Sequence, residues 1–302
     1  LKNNIIFVAV KFQTKMTLSH KFMALGVSAL LLTACGGSKE HEAASEGIDS
    51  TTVVKDTTPV TVDDTTKFKF DFTIANIPSP ANSVQELAAW GIPYDNSILN
   101  NPKNTSKYTT EYQRSINLGV YNIDMAYAMV SEKGPDVLQY MKNILIMSDA
   151  LGLKGAVDMM VGKRAESNLN SKDSLFKILD EIFVKSDSYL RTNERVYTAA
   201  TVFAGSWLES LYITCKLNEK VAEGPLKEKA RKHLWEQRFH LGNLINLLSD
   251  YKDKKECGEL IKDLKPIHEE INAIKQSSDM TDEKFTSISA KIAALRNKLT
   301  SN

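Results

Sequence analysis

An excess of charge of either sign is missing from this sequence: 38 basic residues stand against 37 acidic ones in 302, a formal net charge of +1. Even that excess belongs to the first 34 positions, which hold Lys2, Lys11, Lys15 and Lys21 and no acid; without those four lysines the remainder is near −3. Such a body offers no electrostatic footprint for a nucleic acid. Also missing are a Gly-rich phosphate loop, a Gly-x-Ser-x-Gly elbow, a His-Glu-x-x-His pair and a Ca²⁺ loop, which excludes the commonest nucleotide, esterase, zinc-protease and EF-hand signatures. Cysteine is scarce, with only Cys35, Cys215 and Cys257. No sustained repeat is present. Gly119-Val120-Tyr121 and Gly205-Ser206-Trp207 each precede an acid and then a tyrosine, but the spacings differ and the likeness reads as chance.

What is present begins with an export signal. From Met16 a short basic stretch leads into the apolar run Phe22 to Leu32, then Thr33-Ala34-Cys35-Gly36-Gly37. Basic region, apolar core and small residues before a cleavage point are the layout of a secretory signal. The run is about half the ~20 residues a helix needs to span a bilayer. Translation is expected to start at Met16, with 1–34 as the signal peptide. The tetrad Leu32-Thr33-Ala34-Cys35 resembles the lipobox of bacterial lipoproteins. In that family the cysteine thiol receives a diacylglycerol and the bond before it is cut, so the resemblance implies a mature protein that begins at a lipidated Cys35. Two or three acyl chains hold far more firmly than the marginal ~10⁴ M⁻¹ of a single myristoyl-sized chain. Gly36, standing where an inner-membrane retention signal commonly has Asp, implies an outer-membrane anchor facing the periplasm or the cell surface.

Residues 35–67 carry Gly, Ser, Thr, Asp and Glu with few large apolar groups, which predicts a flexible tether. The segment 68–79 opens with Phe68, Phe70, Phe72 and Ile74 alternating with polar residues, and is predicted extended, with no partner strand elsewhere. Residues 80–302 read as an all-α domain of eight or nine helices. After a short helix through Trp90 these are expected near 107–131, 136–150, 154–167, 172–190, 193–218, 225–251, 256–276 and 282–300, with Gly and Pro breaks between them. The last two carry stripes stepping by three and four, Leu260 to Ile274 and Phe285 to Leu299, and are expected to close the domain as an antiparallel hairpin, the first kinked at Pro266.

Candidate chemistry lies where charge interrupts apolar helices. Arg114, Asn117, Tyr121 and Asp124 fall within about 80° on a helix that is otherwise apolar almost all round. Between Val196 and Leu217 the only charged residues are Glu209 and Lys216. A buried charge needs a partner, so Asp124 and Glu209 are either two carboxylates of one acid–base site or members of a structural polar network, with Arg114 the nearest candidate partner of Asp124. His233, Glu236 and His240 share one helix face and have donors suited to a divalent metal, but they lack an established zinc spacing and sit at the edge of the apolar stripe, as boundary histidines do. Neither a metal nor a cofactor is therefore expected. Cys215 and Cys257 form a disulfide in an oxidising compartment or remain buried thiols.

The body as a whole resembles the helical lipoproteins of the Bacteroidota, on the lipobox and on the runs Leu118-Gly119-Val120-Tyr121 and Gly205-Ser206-Trp207-Leu208-Glu209. The resemblance implies a location and no chemistry. The leading expectation is a membrane-anchored, non-enzymatic domain that binds a protein or small-molecule partner. The alternatives are a helical hydrolase or metal-dependent enzyme using Asp124 and Glu209 or the His233 face, and an accessory subunit of an outer-membrane machine.

Overall fold

In the computed structural model the described residues are 90–153 and 195–301, together with isolated positions between 71 and 87 and between 164 and 190. All belong to one compact unit, Thr58–Asn302. Their continuous stretches contain six α-helices and four short 3-10 turns, and there is no strand among the described residues. The α-helices are α1 (Glu111–Val130), α2 (Gly134–Ala150), α3 (Val196–Asn218), α4 (Pro225–Leu248), α5 (Lys255–Asn272) and α6 (Asp282–Ser301). The signal, the tether and most of 154–194 lie outside the described residues. Asp71 is the one described position of the segment expected to be extended, and it is helical. Alternating aromatics make a strand only where a neighbouring strand takes up the backbone groups, and the described residues contain none.

Local chemistry sets the ends. The long first helix begins four residues later than its periodicity suggests, because Pro102–Lys107 forms a 3-10 turn capped by Asn101. Thr110 then opens α1 with a capping box: its side chain accepts the Gln113 N–H at 3.1 Å, and the Gln113 side chain accepts the Thr110 N–H at 3.2 Å. Pro135 and Pro225 occupy the first turns of α2 and α4, where a missing N–H costs nothing. Pro266 is carried inside α5, which runs unbroken past it.

The centre is the packing of α1 against α3, the most extensive helix contact among the described residues. From Ser115 to Val130 every residue of α1 is buried. Thr201 donates to Ser115 at 2.8 Å and Ser206 to the Gly119 carbonyl at 3.1 Å, so positions rise together along both helices and the two run in the same direction. A Cβ at Gly119 would lie 2.0 Å from the Val202 carbonyl oxygen, and one at Gly205 2.0 Å from that of Ile116. Only glycine permits that approach. The two Gly-containing runs whose likeness read as chance are thus the two halves of one helix crossing.

The remaining elements cover this pair. α2 packs on α1, α4 and α6 on α3, and α5 chiefly on α4. The stripes of the last two helices are buried as their spacing predicts, from Leu260 to Ile271 and from Phe285 to Leu299, but α6 leans more on α3 than on α5. Lys298 with Asp263 at 2.6 Å and Lys291 with Glu270 join α5 and α6 at the surface. Exposed pairs of this kind add at most ~1 kcal/mol each. No helix among the described residues is long and apolar enough to cross a membrane.

Candidate functional site

Asp124 and Glu209, the acids that interrupt two apolar helices, belong to one cluster. Both are fully buried, with 0% exposure. The third member is Arg296 on α6, whose Nε and Nη2 each donate to the Glu209 carboxylate at 2.9 Å, fork to fork. Arg296 Nη2 also donates to the Ile98 carbonyl at 3.3 Å, and its guanidinium lies 4.6 Å from the centre of the Tyr212 ring. Asp124 Oδ2 accepts the backbone N–H of Asn100 at 3.1 Å, while Oδ1 receives no donor. Glu209 is the side-chain hydrogen-bonding neighbour of Asp124.

Around this core runs a belt of neutral polar groups. Asn100 Nδ2 donates to Tyr108 at 3.0 Å and to Asn117 at 3.3 Å; Asn117 Nδ2 donates to the Leu299 carbonyl at 3.0 Å and Tyr108 to the Thr300 carbonyl at 2.9 Å. Tyr140 donates to the Asn100 carbonyl at 3.2 Å, and Tyr121 to that of Asn101 at 3.0 Å. The last carbonyls of α6, which have no partner within their own helix, are thereby satisfied by side chains of α1 and the turn before it. Arg114 is not the partner of Asp124. Its Nε donates to the Tyr108 carbonyl at 3.0 Å, outside the cluster, because Arg296 reaches the acids from α6 while Arg114 sits nearly three turns up the helix.

Electrostatics follow from the seal. Burial first, and the Glu209 charge second, push the Asp124 carboxyl well above the usual carboxylate range. Burial works against the charge on Arg296, but the Glu209 carboxylate more than offsets it and holds the guanidinium firmly protonated. Burial also raises the phenols of Tyr108, Tyr121 and Tyr140, so they stay neutral hydrogen-bond donors.

The His233 face does not converge. His233 Nε2 lies 3.4 Å from Gln237 Nε2, Glu236 points to Lys232 at the surface, and burial lowers the His233 imidazole below its usual range. Among the described residues no three His, Cys, Asp or Glu side chains come together in a way that could hold a metal ion. Cys215 and Cys257 are both buried and free, so the disulfide alternative is not the one adopted. Burial pushes their thiols up to about 12 and about 11.

At the surface, the segment from Trp90 to Asp95 and the residues Lys220, Val221 and Leu226 enclose an open groove of about 570 Å³. Leu226 is 38% exposed there, and Lys220 pairs with Asp95 across the rim. Arg296, Asn100 and this groove were missed by sequence reasoning. Only Arg296 had left a signal, as a cation three or four residues from Ile292 and Leu299 on an apolar stripe. Compared with known protein families, curated proteins and solved structures, the chain matches none.

Proposed function

We propose that this chain is a membrane-anchored envelope lipoprotein whose helical body works by binding a partner, without catalysing a reaction. In this reading Cys35 carries the lipid at the outer membrane, residues 36–67 are the tether, and the body is an all-α domain of eight or nine helices that ends in the α5–α6 pair. One observation carries the non-enzymatic part: Asn117, Tyr121, Asp124 and Glu209 all have 0% exposure, and the Glu209 carboxylate is taken up by Arg296. A general acid or base must come within hydrogen-bonding reach of a substrate atom, and nothing from solvent reaches these groups. Their bonds instead join α1, α3 and α6 to the turn at Asn100. The surface feature that suits a partner is the groove beside Leu226, with apolar walls and one ion pair at its edge.

Two measurements test the two halves of the proposal. Acyl-chain labelling in cells is expected for the wild-type precursor and lost, with accumulation of the uncleaved chain, in Cys35→Ser; normal labelling of that variant would end the lipoprotein reading. Carbodiimide coupling of an amine to the native protein, mapped by mass spectrometry, is expected to spare Asp124 and Glu209 until denaturant is added. Rapid coupling at either carboxyl in the native state would reveal an open acid site and favour an enzyme.

A further inference from the structure

Two acids and one base share the sealed junction of α1, α3 and α6. If both carboxyls were ionised the cluster would hold an uncompensated negative charge away from water, where an isolated charge is most costly. Both atoms of the Glu209 carboxylate are bound by Arg296. Asp124 has one oxygen on the Asn100 N–H and the other without any donor, and Glu209 is its side-chain hydrogen-bonding neighbour. Two neighbouring bare carboxylates repel each other; a carboxylic acid beside a carboxylate makes a short, strong hydrogen bond.

We propose that Asp124 keeps its proton at neutral pH and donates it to Glu209, so that one buried proton is a structural part of the junction and makes the protein body progressively less stable as pH rises. Among the described residues, the charged and titratable groups that face Asp124 are compatible with this. Glu209 on α3 accepts the proton, and Arg296 on α6 is engaged with Glu209. Tyr140 on α2, Tyr121 on α1, and Tyr94 and Tyr108 in the segment before α1 are all pushed up by burial and do not titrate in the same range. The direction follows from proton counting. Above about pH 4 an unfolded Asp has lost its proton, whereas the folded chain still holds one, so the folded state binds more protons and stability must fall with rising pH. The fall amounts to a tenfold change in the unfolding equilibrium constant per pH unit, and it stops once the folded carboxyl itself ionises.

Asp124→Asn separates this proton from every other titration. Its amide can donate to Glu209 at all pH values, while its carbonyl still accepts the Asn100 N–H. Urea unfolding of full-length wild type and Asp124→Asn from pH 5 to 7 should show the variant gaining on the wild type by about tenfold in the equilibrium constant per unit. Other groups, the half-buried His233 included, are common to both proteins and cancel. A difference independent of pH, or a variant that loses ground as pH rises, would overturn the proposal. Should Asp124→Asn fail to fold, infrared spectra of the wild type with carboxyl-labelled aspartate decide the matter. A neutral-acid carbonyl band that shifts with the label at pH 7 is expected in the native protein, and its absence would contradict the shared proton.

Discussion

The α1–α3 seam holds two unlike regions little more than a helical turn apart. At Gly119 and Gly205 the backbones touch, no side chain intervenes, and a single added methyl would sit 2.0 Å from a carbonyl oxygen. At Asp124 and Glu209, five and four residues further along, the same helices hold a carboxyl pair and admit Arg296 from α6. The first region sets how closely the helices approach and is bridged only by small hydroxyls, Ser206 on the Gly119 carbonyl and Thr201 on Ser115. The second sets what must fill the space where side chains return, and it does so with charge that needs a third helix. Neither region offers a route to solvent, which is why both read as scaffold.

Replacements at the two regions should fail for different reasons. Glu209→Ala or Arg296→Ala strands an unpaired charge with no water, an expected loss of about 3–5 kcal/mol in denaturant unfolding. Removing both charges together, as Glu209→Leu with Arg296→Met, should cost less than either single change, because no orphan remains. A double variant that merely adds the two losses would break the pairing. Gly119→Ala or Gly205→Ala forces the helices apart, at about 3 kcal/mol, the upper end of ordinary overpacking, and no second substitution at the charged cluster should recover it. Wild-type stability in either glycine variant would show that the backbones do not touch.

How much of this contrast was legible in the sequence depends on whether a residue signals alone or only with its partner. Asp124 and Glu209 announced themselves as charges inside apolar helices, and the six described α-helices follow their apolar periodicity. Their meeting did not show, since no sequence spacing relates two helices joined through 131–195. Gly119 and Gly205 were visible too, yet a glycine's close approach is a property of the facing backbone, so the two runs looked coincidental. Arg114 was placed correctly on the stripe of Asp124 but too far along it, and Arg296 was concealed by the apolar stripe around it. Asn100 lies in a loop where nothing marks one asparagine above another.

Smaller effects come from outside the seam. Cys215 and Cys257, shielded by α3 and α5 and with thiols pushed up by burial, should resist a thiol reagent in the native protein and react only on unfolding. Fast reaction of Cys215 would mean that α3 is less sealed than its neighbours indicate. Smallest of all, Lys298→Ala removes an exposed partner of Asp263, which is expected to change stability by no more than ~1 kcal/mol and to matter less at high salt.

The account rests on the acid cluster being part of the scaffold, and the melting temperature of Asp124→Ala tests that most directly. The substitution removes the acceptor of the Asn100 N–H and the proton proposed to reach Glu209, so both are left buried with one bond fewer. A loss of about 1–3 kcal/mol is expected, smaller than for Glu209 or Arg296 because no charge is stranded. The account predicts a melting temperature clearly below that of the wild type at about pH 4 and under, where an unfolded aspartate also keeps its proton and the cost of holding it in the fold drops out. A melting temperature that holds or rises would contradict it, since groups kept for a ligand often oppose folding and their removal relieves the structure.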